Sequence, residues 1–202
     1  MPFLAVVPYC HVFAYKLSFR NSFLYSKQQW SRRASPSSPQ TSRSSLSMIS
    51  SIKIRIVGKK NGGDAWLNDA YSTYETRLRG SIDVETIWHK NDPELVTSVM
   101  VDQKKGHSVV LLDPQGKMCS SEQFSEQLYS WFDDGGSRIS FVIGGADGLP
   151  SELKSSVFTK GGGLASLSLS SMTMTHQFSR VLLIEQIYRA SEIRKGARVK
   201  HC

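Results

Sequence analysis

Two short runs, Val109–Leu112 and Phe141–Ile143, are apolar at consecutive positions, with none of the alternation that marks a strand with one wet face. Strands of that kind are buried on both sides, and both-sided burial belongs to parallel sheets covered by helices. Around them, short β-prone runs alternate with longer stretches of helical period, the order expected of an α/β fold. Ile52, Ile54 and Ile56 alternate with Lys53 and Arg55, which predicts a strand ending at Gly58. Asp64 is placed to cap a helix through about Leu78, with Leu67, Ala70, Tyr71, Tyr74 and Leu78 on one face, and Gly80 ends it. Ile82–Trp88 reads as a second strand. Asp92-Pro93-Glu94 reads as the start of a helix to about Lys104, with Asp92 as cap.

His107–Leu112 is the third strand, and Asp113–Lys117 is a turn by composition. Ser120 or Ser121 can cap a helix carrying Phe124, Leu128, Trp131 and Phe132 inward. The strand Arg138–Ile143 stops at Gly144-Gly145; a short helix from Pro150, a weak strand near Leu164–Leu169 and a last helix from about Thr175 complete the series. That helix, with Phe178, Val181, Leu182, Leu183, Ile184, Ile187 and Tyr188, is apolar around most of its girth, so it is buried on two sides. The second side could lie under the first helix of its own chain or against a second subunit.

The first 51 residues are of another kind. They hold six Lys/Arg, no Asp or Glu and 13 serines, and Ser31–Ser47 is too polar to build a core. An Arg- and Ser-rich, acid-free leader predicts organelle import, the chloroplast ahead of the mitochondrion because serine and proline dominate. Residues 52–202 then form the folded domain, and Met48 could serve as an alternative start. The +8 formal charge is concentrated in the leader: beyond it, 19 Lys/Arg face 17 Asp/Glu. Any nucleic-acid surface must therefore be a local patch. Cys10, Cys119 and Cys202 form neither a disulfide framework nor a zinc spacing, and Phe3–Tyr15 is too short for a membrane span. P-loop, dinucleotide, zinc-protease and serine-hydrolase motifs are absent. No metal, membrane or nucleotide-triphosphate chemistry is expected.

One series of motifs points elsewhere. G-G-A-D-G-L at Gly144–Leu149, S-x-M-T-x-x-H-Q from Ser170 and R-V-L-L-I-E-Q-I-Y-R-A at Arg180–Ala190 resemble the C-terminal signature of the RlmH family. These are SPOUT-class methyltransferases that act on a pseudouridine of large-subunit ribosomal RNA. The resemblance runs from about Ile52 to near the C-terminus. It implies a mostly parallel sheet flanked by helices with a C-terminal trefoil knot, a homodimer, and S-adenosyl-L-methionine as cofactor. Carried over by position, the cofactor contacts fall on Leu112, Gly144, Leu169, Ser170, Ser171, Met172, Thr173 and Met174. In isolation Leu112, Leu169, Met172 and Met174 read equally as core. The acceptor would be N3 of the pseudouridine, so the site must help remove a proton. His176, Arg180 and His201 are the candidates for substrate binding, with Arg189 and Lys200 nearby; no catalytic residue is assigned. Arg180 and Arg189 could instead pair with Glu185 or Asp147. The chain departs from the family at Thr175, where proline is usual, and at its end, A-R-V-K-H-C, where a Tyr-His pair is usual. That ending leaves open a non-catalytic RNA- or ribosome-binding factor, or an enzyme with a transfer RNA acceptor.

Overall fold

The alternating isoleucines of the first strand set the two sides of the molecule. In the computed structural model, which describes residues 50–60, 64–157 and 164–196, strand β1 (Ser50–Val57) buries Ile52, Ile54 and Ile56 completely on one face. Lys53 and Arg55 point to the other. The elements that follow are α1 (Ala65–Leu78), β2 (Ile82–His89), α2 (Asp92–Lys104), β3 (Ser108–Met118), α3 (Ser121–Asp134), β4 (Arg138–Ile143), α4 (Ser151–Val157), β5 (Leu164–Ser168) and α5 (His176–Arg194). All four strand pairings are parallel, in the order β2-β1-β4-β3-β5. The mostly parallel sheet flanked by helices is thus observed. Its central strands are the two continuous apolar runs, β4 and β3, together with β1.

One face of the sheet carries α1, α3 and α5, packed around Ile54, Val110, Phe141 and Leu167. The other carries α2 and α4 over Val109, Leu111 and Val142. Helix α5 is buried on two sides by its own chain, because α1 and α3 flank it and Leu183, Ile184 and Ile187 are wholly buried among them. Most of the apolar girth is therefore answered within the chain, while Phe178 stays exposed.

Several local expectations are refined. Asn91, not Asp92, caps α2: its side chain accepts from the Glu94 N–H at 3.0 Å, while Pro93 lies in the first turn. Either residue offers the needed oxygen, and the extended backbone at Asn91 decides. Asp64 occupies the cap position of α1 without a side-chain cap bond. Ser120 forms a full capping box with Gln123. Asp113–Lys117 is not a plain turn. β3 runs on through it, pairing with β5 as far as Leu112 and again from Lys117, with an irregularity between. Gly116 is required there, since a Cβ would lie 2.7 Å from the Leu167 carbonyl carbon. β1 begins at Ser50, two residues before the expected domain start, and the rest of the leader lies outside the described residues.

Beneath α2 sits a charged cluster. Arg55 Nε donates to Asp102 Oδ2 at 2.7 Å, Ser140 Oγ donates to the same oxygen, and the Arg55 guanidinium donates to His89 Nε2 at 3.2 Å. His107 Nδ1 lies 3.7 Å from the other Asp102 oxygen. Burial pushes the Asp102 carboxyl up, but the Arg55 and Ser140 hydrogen bonds and the Arg55 charge outweigh it and hold it below the ordinary range. His89 and His107 are both held low, first by burial, with the Arg55 charge adding at His89.

Arg55→Met leaves the Asp102 charge buried without its partner, and we expect a loss of about 3–5 kcal/mol in urea unfolding. The double variant Arg55→Met/Asp102→Leu should recover most of it. The pH dependence has a definite sign. Unfolded imidazoles take up protons near 6.5 while the folded ones, held lower, do not, so stability falls as pH drops through that value. The Asp102 contribution survives to lower pH and disappears as pH falls below 3.8 through its depressed folded value. Thermal midpoints measured between pH 8 and 5 should decline, and His107→Gln should flatten the decline.

Candidate functional site

Open parallel sheets hold ligands beyond the carboxyl ends of their strands. The carboxyl ends of β4 and β5 lie on either side of Leu112 of β3, which pairs with Ile143 on one edge and Leu167 on the other. Just past those ends a cavity of about 390 Å³ opens, within the usual range for small-molecule sites. Its apolar wall is Leu112, Ile143, Leu149, Leu167, Leu169 and Met174, and its rim is the Asp113–Gln115 segment, the Gly144–Gly148 turn and the loop before α5.

Each rim is fixed by its own chemistry. Gly144 sits against the far side of its turn so closely that a Cβ would fall 2.2 Å from the Gly148 carbonyl oxygen. Gly148 closes the turn with φ +85°, a conformation that favours glycine. The Gly-Gly stop is thus a steric requirement of the turn. In the next loop Ser168 Oγ donates to the Ser170 carbonyl at 2.9 Å, and Ser170 Oγ accepts from the Met172 N–H at 3.0 Å. Thr175, where the family usually has proline, caps α5 by accepting from the Phe178 N–H at 3.3 Å. Across the mouth, Lys154 Nζ lies 3.3 Å from Asp113 Oδ2.

Seven of the eight residues expected to hold the cofactor line this cavity: Leu112, Gly144, Leu169, Ser170, Met172, Thr173 and Met174. Ser171 is exposed and does not line it. Leu112 and Leu169 serve two purposes, since both also pack against the core. Met172 is 74 % exposed, which removes the reading of it as a core filler. Sequence reasoning missed the Asp113–Gln115 segment, Lys154 and Ser179, all of which line the cavity. The D-P-Q-G run marks that segment, but its composition signals only a turn.

The substrate candidates separate. His176 borders the cavity at the start of α5, and its Nε2 lies 3.3 Å from where a Cβ on Gly58 would be. Gly58 ends β1 with φ +145°, so the imidazole packs over a position where a side chain would be strained. Arg180 is buried in a second cavity between α1 and β2, away from the first. It donates to Asn68 Oδ1 at 2.8 Å, and its guanidinium lies 4.4 Å from the Tyr71 ring centre and 5.1 Å from that of Trp88. Arg189 pairs with Glu185. Lys200 and His201 lie outside the described residues. Burial, then the Arg180 charge, hold His176 below the ordinary imidazole value, so its ring is neutral at pH 7. Among the described residues no group of His, Cys, Asp and Glu is arranged to hold a metal, and no helix is long and apolar enough to cross a membrane.

A wholly parallel five-stranded sheet with helices on both faces and a ligand-sized cavity beyond its carboxyl ends defines an α/β protein with a small-molecule site. A family model described as "Predicted SPOUT methyltransferase" matches residues 50–198, and the chain belongs to that family. Ribosomal RNA large subunit methyltransferase H of Protochlamydia amoebophila is 38% identical over 72% of this chain and 96% of its own length. Proteins of the same name from Synechococcus sp. (strain CC9311) and Prochlorococcus marinus (strain MIT 9313) are 38% and 35% identical, over 72% and 73% of this chain and 94% of their own lengths.

Replacing Arg180 by Gln removes the charge that acts on His176, at a residue that does not line the cavity. We expect the His176 titration, followed by NMR, to move up toward 6.5, whereas Arg180→Lys should leave it nearly in place.

Proposed function

We propose that this protein is an S-adenosyl-L-methionine-dependent methyltransferase that modifies N3 of a pseudouridine in large-subunit ribosomal RNA. The observation that carries the reading is the convergence of seven residues from three separate segments, Leu112, Gly144 and the loop Leu169–Met174, on a single cavity. The cavity fits the cofactor in kind: aliphatic walls for the adenosyl group, and polar residues Asp113, Gln115, Ser170 and Thr173 around them for its polar edges. When bound, the cofactor supplies an activated methyl group, and the protein's work is alignment and exclusion of water. Alignment of that kind contributes about 7–11 kcal/mol, so a site poor in charged groups is adequate. His176, neutral and at the cavity edge, can accept the proton that N3 must lose.

The names and near-complete coverage of the relatives support the ribosomal substrate. A homodimer belongs to this reading. It is supported by Trp66 and Phe178, which are both exposed and have ring centroids 6.4 Å apart. The C-terminal knot of the class belongs to it too, supported by the family match over residues 50–198. The acid-free composition of residues 1–51 supports import into an organelle, the chloroplast first. A fluorescent fusion of that segment tests the destination.

The decisive assay is methyl transfer from labelled S-adenosyl-L-methionine to organellar ribosomes from cells lacking this protein. Label at a pseudouridine of large-subunit RNA is the expected result. Cofactor binding without transfer would assign the chain a non-catalytic ribosome-binding role, in keeping with its altered terminus, and label on transfer RNA would change the acceptor. Gly144→Ala should weaken cofactor binding by about tenfold or more in calorimetry, because the turn must open to admit the methyl group.

A further inference from the structure

The opposite edge of the sheet, where the strands begin, carries a second feature that methyl transfer does not use. A cavity of about 180 Å³ there is lined by Ser51, Lys53, Lys105, His107, Arg138 and Ile139. It arises from register. Ser51 and Lys53 share the α2 side of β1 with Arg55, and β4 sets Arg138 opposite Ser51 and Ser140 opposite Lys53. Lys105 and His107 arrive from the end of α2 and the start of β3.

The charge balance of this corner is one-sided. Asp102, the carboxylate closest to His107, is committed to Arg55 and Ser140. On the β2 side, Asp83 stands beside Ser51 and Glu85 beside Lys53, yet neither lines the cavity. Among the described residues, no carboxylate lies within 4.0 Å of Lys53, Lys105 or Arg138. His107, itself buried, feels the positive field of all three, and its Nδ1 has no hydrogen-bond partner. Lys105, at the C-cap of α2, also suits the negative end of that helix. Lys53 has Glu85 as its cross-strand neighbour without an ion pair between them, and Arg138, opposite Ser51 at a strand start, has no acidic neighbour in register.

We propose that this corner is an oxyanion site that takes a phosphate group, supplied by the backbone of the RNA substrate. The source of the phosphate rests on the reading of the protein as an RNA methyltransferase; the chemistry of the site does not. Three unpaired cations and a serine hydroxyl around a small concavity match the charge and the acceptor oxygens of a phosphate. A strand of about six residues spans about 20 Å, so the contact would hold RNA about that far from the methyl-transfer cavity. It would add affinity and register without reading sequence.

The test uses the full chain. Inorganic phosphate is titrated while the His107 ring is followed by NMR, and a large-subunit ribosomal RNA fragment is then bound across a series of salt concentrations. Phosphate should shift the His107 resonances, and Lys53→Gln/Arg138→Gln should abolish that shift. The double variant should bind the RNA about three- to tenfold more weakly, with a log–log salt slope flatter by about 0.7–0.9 for each phosphate no longer neutralised. Lys195→Gln, which removes one exposed charge elsewhere, should shift neither the resonances nor the slope by as much. A phosphate-induced shift with an unchanged RNA slope would overturn the RNA as source and leave a site for free phosphate. No shift and no change in slope would overturn the site itself. Absent methyl transfer by the unaltered protein, with these binding results intact, would remove the enzymatic reading and leave the anion site standing.

Discussion

At the end of β4 the backbone of Gly144 lies against the backbone of Gly148 with no room for a single carbon between them. Everything that makes a site of this sheet follows from that close approach. A strand leaving the core would normally climb directly into its helix; here the chain folds back within five residues and leaves Leu112 of β3 and the end of β5 uncovered. Leu112 and Leu167, held level with Ile143 by register, then line a cavity instead of packing against more protein on every side. The same restriction explains the glycine at position 116. There β3 must pass the β5 backbone, which would lie 2.7 Å from any Cβ on Gly116, before pairing again.

The two faces of the sheet are stabilised differently, and the difference bears on the site. The α1, α3 and α5 face is mainly aliphatic and aromatic, with Arg180 as its buried charge, so its strength comes chiefly from apolar burial, and deleting one apolar side chain there leaves a cavity. The α2 face places Arg55 and Asp102 in the interior, where a charge is tolerated only while its partner remains. His176 leans on the first face at Gly58, beside Trp88, and Arg180 one turn later is wedged between Tyr71 and Trp88. The guanidinium acts on the cavity at second hand, by its field on His176, and not by touching a ligand. That arrangement gives a buried cation a structural place and an electrostatic consequence together.

Much of this is legible in residue order. The continuous apolar runs of β3 and β4 predict strands covered on both faces, and they are. The isoleucine alternation of β1 predicts a half-buried strand, and its isoleucine side is buried, but α2 also covers the other side, where Arg55 is buried on Asp102. The cavity residues came from the resemblance of the C-terminal motifs to a known family, and seven of them meet because register sets Leu112 beside the ends of β4 and β5, where Gly144 and the loop that follows β5 continue the chain. Other features depend on geometry that order alone does not contain. Asn91 and Asp92 are chemically equal as caps, and only the backbone angle separates them. Asp113–Lys117 has the composition of a turn, yet pairing with β5 on both sides keeps it within the strand. His176 and Arg180 share a helical stripe, but the stripe crosses the wall between two cavities, so neighbours on the helix serve different spaces.

Charge shows the same division between what is global and what is local. The chain's excess of cations sits largely in its first 51 residues, and the folded part is close to balanced. A nearly neutral domain that must hold a polyanion has to concentrate its cations by pairing away its carboxylates. Arg55 does this for Asp102, Arg189 is occupied by Glu185, and Lys195 by Glu192. The cations that stand without a carboxylate at the start of β1 and β4 therefore count for more than their number suggests. Asp83 and Glu85 flank them on β2 without closing an ion pair, so these cations stay free to attract an anion at short range, and short range is what survives at physiological salt.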